Sequence, residues 1–160
     1  MRSILFYSFV MAHLISCAQV HNIAQKTLAT YTVQMPGNVA VDASGNELTQ
    51  GKIIAVIYIE TTSKDLDIQN ALAGKSKYAL TQQLVNKSPY IAGINFKNNE
   101  KVIVDVAKKN FLWKIELAPF PVKKDNINQL DTILLKGTYQ GKSFEEKITN
   151  WVELAGIPIY

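Results

Sequence analysis

In the ten residues Lys52 to Thr61 (Lys-Ile-Ile-Ala-Val-Ile-Tyr-Ile-Glu-Thr), every side chain between Lys52 and Glu60 is apolar or aromatic. Successive side chains of a β-strand point to opposite faces, so a strand apolar at both parities has no side to offer to water. The run Ile53 to Ile59 is seven residues long and mostly β-branched, which suits a buried strand and is far short of a membrane span. A chain holding this segment must therefore place it in the middle of a sheet that is covered on both sides.

The segments around it read as further strands. Thr27 to Met35 is rich in Thr, Tyr and Val and stops at Pro36-Gly37, after which the turn cluster Asp42-Ala43-Ser44-Gly45-Asn46 makes Pro36 to Gly51 a long loop or short edge hairpin. Tyr90 to Lys97 and Lys101 to Ala107 flank Asn98-Asn99, a candidate two-residue hairpin turn because asparagine tolerates positive φ. In Phe111 to Ala118, Phe111, Trp113, Ile115 and Leu117 alternate with Leu112, Lys114 and Glu116, giving one buried and one mostly wet face. Pro119 to Asp131 reads as the longest late loop. Thr132 to Tyr139 and Lys142 to Leu154 then meet around Gln140-Gly141, a turn that sets Lys136 opposite Glu145 and Ile133 opposite Ile148. Between Ser63 and Lys87, two strands (Asp67 to Ala73 and Lys77 to Val85, joined at Gly74-Lys75) compete with a helical excursion. The strands are favoured because Tyr78, Leu80 and Leu84 share one face, with Gln82 between them.

Seven or eight short strands at this spacing predict an all-β chain, an immunoglobulin-like β-sandwich of antiparallel strands over residues 27–160. The whole chain after residue 18 resembles small β-sandwich proteins of the bacterial envelope, a resemblance that carries no site motif and implies no activity.

The first residues read as an export signal: positive Met1-Arg2, an apolar stretch from Ile4 to Ile15, then small residues at Ser16, Cys17 and Ala18. Two cleavage readings stand. Leu14-Ile15-Ser16-Cys17 resembles the lipobox of bacterial lipoproteins, which implies acylation of Cys17 and an anchored chain. Alternatively Ser16-Cys17-Ala18 is a small-x-small site and the mature chain begins at Gln19. The lipobox reading is favoured. It makes residues 1–18 a signal segment, residues 19–26 a tether, and the lipid a membrane partner whose affinity grows with each buried methylene. The expected location is the bacterial cell envelope, either membrane-anchored or soluble in the periplasm or medium.

The same composition removes whole classes of chemistry. Cys17 is the one cysteine, so a chain processed in either way has no disulfide, thiolate metal site or cysteine nucleophile. His21 is the one histidine beyond the leader, and no serine sits in a G-x-S-x-G elbow, which leaves no serine–histidine triad. No glycine-rich phosphate loop occurs. Of the 17 basic residues only Arg2 is arginine; without it 16 lysines face 13 acids, and the absence of a guanidinium disfavours nucleic acid as a partner. Asp65-x-Asp67-x-Gln69 and Asp42-x-Ser44-x-Asn46 begin like calcium loops but carry Asn70 and Glu47 at the sixth position and Ser76 and Ile53 at the twelfth, so they read as turns. No cofactor and no metal are expected.

What remains is an accessory: a non-catalytic exported module that binds a protein or glycan of the envelope or supports its structure. Alternation through Lys142 to Leu154 puts Trp151 outward beside Lys147, a candidate stacking platform and the basis of a carbohydrate-binding alternative; the favoured reading is that a bulge turns it inward or that it packs under the Pro119 to Asp131 loop. A hydrolase using only acids such as Asp105, Glu116, Glu145 and Glu146 is a second alternative. An outer-membrane barrel is disfavoured by Pro158 and by the unbroken apolar run at Ile53 to Ile59.

Overall fold

The computed structural model describes residues 23–34, 43–44, 51–86, 88–122, 130 and 132–156. Among them are twelve strands and no helix: β1 (Lys26–Gln34), β2 (Gly51–Thr61), β3 (Leu66–Ala73), β4 (Ser76–Tyr78), β5 (Leu80–Val85), β6 (Tyr90–Ile94), β7 (Lys101–Val104), β8 (Phe111–Leu117), β9 (Phe120–Val122), β10 (Ile133–Tyr139), β11 (Lys142–Ile148) and β12 (Trp151–Leu154). They form a first sheet in the order β12-β1-β2-β8-β5, a second in the order β11-β10-β3-β4, and a two-stranded ribbon β6-β7.

The doubly apolar strand lies where its sequence requires. β2 is flanked by β1 along its length and by β8 and then β9 on its other edge. Its odd residues Ile53, Ala55, Ile57, Ile59 and Thr61 are at most 2% exposed. The hydrophobic ones join Ile115 and Leu117 of β8 in one core with Leu66, Ile68, Ala71, Ile133, Leu135, Phe144 and Ile148 of the second sheet. The two sheets are thus layered face to face, and each fully buried aliphatic side chain contributes about 1.5–3 kcal/mol of transfer free energy. On the opposite face, Tyr58 of β2 and Leu112 of β8 are buried with Val104 of β7, and Tyr90 and Ala92 of β6 pack against them. The ribbon is therefore the second cover that β2 needs.

The last hairpin has the expected register, with Lys136 opposite Glu145 and Ile133 opposite Ile148. Lys136 and Glu145 form an ion pair. Gln140 and Gly141 both have positive φ (50° and 71°), the geometry that matches a two-residue turn to strand twist. Next to it, β10 crosses β3 with a register shift between Lys136 and Gly137. A Cβ on Gly137 would lie 2.0 Å from the Asp67 carbonyl oxygen, so only glycine lets the two backbones approach.

Other expectations are corrected. The single strand expected over Lys77 to Val85 breaks at Ala79: β4 pairs with β3 in the second sheet, whereas β5 pairs with β8 in the first. The segment is a crossover between layers, and the Gln82 side chain reaches back to bind it. Its Oε1 accepts from Ile68 N (2.8 Å) and its Nε2 donates to Leu66 O (3.0 Å), both on β3 beyond the last pair with three-residue β4. The strand expected over Lys142 to Leu154 likewise breaks at Thr149-Asn150. β12 leaves the second sheet and pairs in parallel with β1 in the first. Where a loop was expected from Pro119, β9 continues along β2; Ile54 and Ala55 lie opposite three residues, Leu117 to Pro119, a bulge-like mismatch. Of the segment 19–26 expected as a tether, Ile23 is buried in the core, Gln25 N donates to Glu60 O (2.9 Å) and Lys26 opens β1, while 19–22 lie outside the described residues. The leader, Cys17, His21 and most of Pro36 to Gly51 lie outside the described residues.

Candidate functional site

Among the described residues four large apolar side chains stand exposed, and all four belong to the β6–β7 ribbon and its connecting turn: Ile91 (54%), Ile94 (44%), Phe96 (63%) and Ile103 (50%). Their placement follows from the strand periodicity. Tyr90 and Ala92 of β6 and Val104 of β7 face the first sheet, where the Tyr58 and Tyr90 rings lie 5.4 Å apart. Alternation then sends Ile91 and Ile103, a direct cross-strand pair, to the outside. A register shift between Ile91 and Gly93 sets Ile94 opposite Lys101, both exposed. The outer face thus presents an aliphatic stripe edged by Lys101, with Phe96 and Lys97 at its end.

The turn that carries Phe96 is tightly bonded. Asn95 N donates to Glu100 O (2.8 Å), Asn99 N donates to Asn95 O (2.9 Å), and Asn95 Oδ1 accepts from Lys97 N (2.8 Å). Asn98 Nδ2 donates to Glu100 Oε2 (2.7 Å), and Asn99 takes φ = 58°. The two-residue turn expected at Asn98-Asn99 is corrected, because the ladder ends at Ile94 opposite Lys101 and the register shift moves the bend towards Asn95. Two backbone bonds fasten this end to the edge of the first sheet: Phe96 N to Glu153 O (2.9 Å) and Ala155 N to Ile94 O (2.8 Å). The apolar face is consequently held in position, and its area, on the order of 400 Å², is in the range where surface patches are commonly functional.

The opposite end of the ribbon borders a cleft of about 540 Å³, lined among others by Lys64, Ser88, Asp105, Lys108, Asn110 and Phe111. Its groups are mostly engaged with one another. Lys64 Nζ lies 5.2 Å from the centre of the Phe111 ring, and Ser88 Oγ donates to Asp105 Oδ1 (3.4 Å). Nearby Glu60, 7% exposed, accepts through Oε1 from Ala107 N (3.1 Å) and Asn110 Nδ2 (2.6 Å), which fastens the turn after β7. A smaller hollow of about 100 Å³ lies between Thr27 and Ala29 of β1 and the end of β11 from Glu146 to Asn150. Thr27 Oγ1 is buried without a protein partner, and burial pushes the Glu146 carboxyl above its ordinary pKa.

The residues singled out from sequence do not come together. Trp151 is turned inward, opposite Ala29, and packs against the main core with Nε1 enclosed. Of the two readings of Trp151 the structure has the inward one and not the stacking platform, since the break at Thr149-Asn150 resets the alternation counted from β11. Lys147 is exposed on β11, on a different sheet from Trp151. Glu145 and Glu146 are strand neighbours facing opposite ways, Glu116 pairs with Lys114 on the outer face of β8, and Asp105 lies beyond β7, so these acids do not converge. Among the described residues no group of three or more His, Cys, Asp or Glu could hold a metal ion. No helix of the described residues is long and apolar enough to cross a membrane.

The ribbon face was missed in the sequence, although its signal was present. Ile91-Ala92 and Val102-Ile103-Val104 are apolar at both parities, the same signature as β2. In β2 both covers exist; in the ribbon, among the described residues, only the inner one does. No family model, curated protein or solved structure matches the chain.

Proposed function

We propose that this protein is a non-catalytic binding module of the bacterial cell envelope, exported by its leader and anchored through a lipid on Cys17. The domain is read as an immunoglobulin-like sandwich. Supporting this is the strand order: β1, β2, β8 and β5 side by side in one layer, and β4, β3, β10 and β11 in the other. That is the A-B-E-D and C′-C-F-G arrangement, with β6-β7 as an insertion between D and E and β12 as an added strand beside A.

The observation that carries the binding role is the exposed apolar face of the ribbon, held rigidly at its turn. A monomer gains nothing in stability from aliphatic side chains in water, and the largest apolar patch of a protein is often functional, which supports reading this face as a contact surface. Carbohydrate stacking through Trp151 is set aside because the indole is packed inward, and the acid-only hydrolase because the acids are dispersed.

The test is the intact mass of the mature chain from membrane and soluble fractions of an expressing bacterium, beside a Cys17→Ala chain. An acylated species beginning at Cys17 in the membrane fraction, lost on substitution, is expected. An unprocessed chain beginning at Met1 in the cytosol refutes export and anchoring together.

A further inference from the structure

We infer that the cleft bordered by Lys64, Asn86, Asp105, Lys108 and Phe111 is a binding site for a sugar acid, a hydroxylated ring that carries one carboxylate. This goes beyond the contact surface read above and holds whether or not the chain is anchored.

The walls of the cleft are fixed by bonds within the protein. Glu60, buried on β2, accepts from Ala107 N and Asn110 Nδ2, and Asn110 N donates to Ala107 O (2.8 Å). The turn that carries Lys108 is thereby tied to the first sheet. Ser88 and Asp105 close the adjacent wall: Val106 N donates to Asp105 Oδ1 (3.0 Å), and Ser88 Oγ donates to the same oxygen. The loop that carries Lys64 is tied as well. Thr61 Oγ1 donates to Ser63 O (2.7 Å), Asp65 N to Ser63 Oγ (3.1 Å), and Gln140 N to Asp65 O (2.9 Å). Binding in a cleft held this way costs little ordering entropy, and about 540 Å³ lies within the ordinary range of small-molecule sites.

What these bonds leave free defines the ligand. Lys64 and Lys108 border the cleft from two different loops, and neither ammonium has a carboxylate partner among the described residues. Lys64 Nζ instead lies 5.2 Å from the centre of the Phe111 ring. Among the described residues the lining thus holds two ammonium groups and one carboxylate, a surplus charge that one ligand carboxylate balances. Both hydrogen bonds to Asp105 fall on Oδ1, which leaves Oδ2 to accept from a hydroxyl. The Asn86 amide, also without a protein partner, both donates and accepts. The half-buried Phe111 ring, with Leu84 and Val85 also in the lining, offers apolar surface to the C–H face of a ring. Inorganic phosphate brings no apolar face, and a fatty acid brings no hydroxyl for Asp105 and Asn86. A sugar acid matches all three features.

The experiment is an NMR titration of the nitrogen-15-labelled chain at neutral pH with galacturonic and with glucuronic acid, beside galactose as the neutral ring and acetate as the bare carboxylate. Saturating shifts of the Asn86, Lys108 and Phe111 amides are expected with at least one of the two acids, at a Kd of about 1 mM for so small a ligand. Galactose and acetate should bind about fivefold or more weakly, and Lys64→Gln with Lys108→Gln should weaken the acid by a similar factor. Both lysines are exposed, and unchanged signals from β1, β2 and β10 confirm that the variant is folded. No saturating shift with either acid at about 20 mM overturns the inference. An equal response to acetate also overturns it, because the cleft then takes an adventitious ion only. So does an equal response to galactose, which removes the role of the charge, or undiminished binding to the double variant, which places the acid elsewhere.

Discussion

At the scale of single residues, the informative positions are those where chemistry and packing disagree with the local pattern. Gly137 looks interchangeable with alanine in a strand, yet a Cβ there meets the Asp67 carbonyl. Gly137→Ala is expected to cost about 3 kcal/mol, read as a lower urea midpoint at unchanged slope. Glu146 shows the opposite case. Burial raises its carboxyl pKa, so the folded state favours the protonated form and stability from this group increases as pH falls through that raised value. Glu146→Gln should therefore raise the melting temperature at neutral pH by about 2 °C and lose this advantage in acid. A parent that melts higher than the variant at neutral pH contradicts this assignment. Tyr31 works at the alkaline end: burial first, then its hydrogen bond to Glu153 (3.1 Å), pushes its hydroxyl up to about 12. The unfolded phenol ionises near its ordinary value, so this contribution is present below pH 10 and is lost as pH rises towards 12.

Among the elements, the sequence was most legible where opposite residues report on each other. The β10–β11 hairpin could be read to its register because a charge pair and an apolar pair agree on one alignment, and the turn residues accept positive φ. β2 was legible because absent polarity is itself a pattern. The crossovers were not legible. Ala79 and Thr149-Asn150 carry no proline or glycine, and each joins strands of similar alternation, so nothing local announces a change of layer. That hidden break also turns Trp151 against the core and removes the speculative stacking surface that plain alternation offered. The actual exposed face depends on what covers the ribbon, a tertiary fact that no local pattern contains. The crossover at Ala79 has a testable clasp in Gln82. Gln82→Leu leaves Ile68 N and Leu66 O of β3 without their side-chain partner and should cost about 2–3 kcal/mol in chemical denaturation. A loss below about 0.5 kcal/mol would show that the clasp is incidental.

Across the whole molecule, two layers and a ribbon share the problem posed by one strand that is apolar on both sides. The second sheet covers one face of β2, and the ribbon covers part of the other at the price of exposing its own outer side. Removing residues 88–106 should thus uncover Tyr58 and Leu112 and yield a chain that aggregates, rather than a smaller stable sandwich. Analytical ultracentrifugation distinguishes these outcomes.

The parallel pairing of β1 with β12 has a mechanical side. Ala29 to Thr32 run beside Trp151 to Leu154 in the same direction, so the start of β1 and the end of β12 lie at opposite ends of the ladder. A load applied between the start of β1 and the end of β12 therefore pulls the two strands past each other along their length. In that geometry the rungs share the strain and must fail together, whereas a hairpin pulled from its open ends peels one rung at a time.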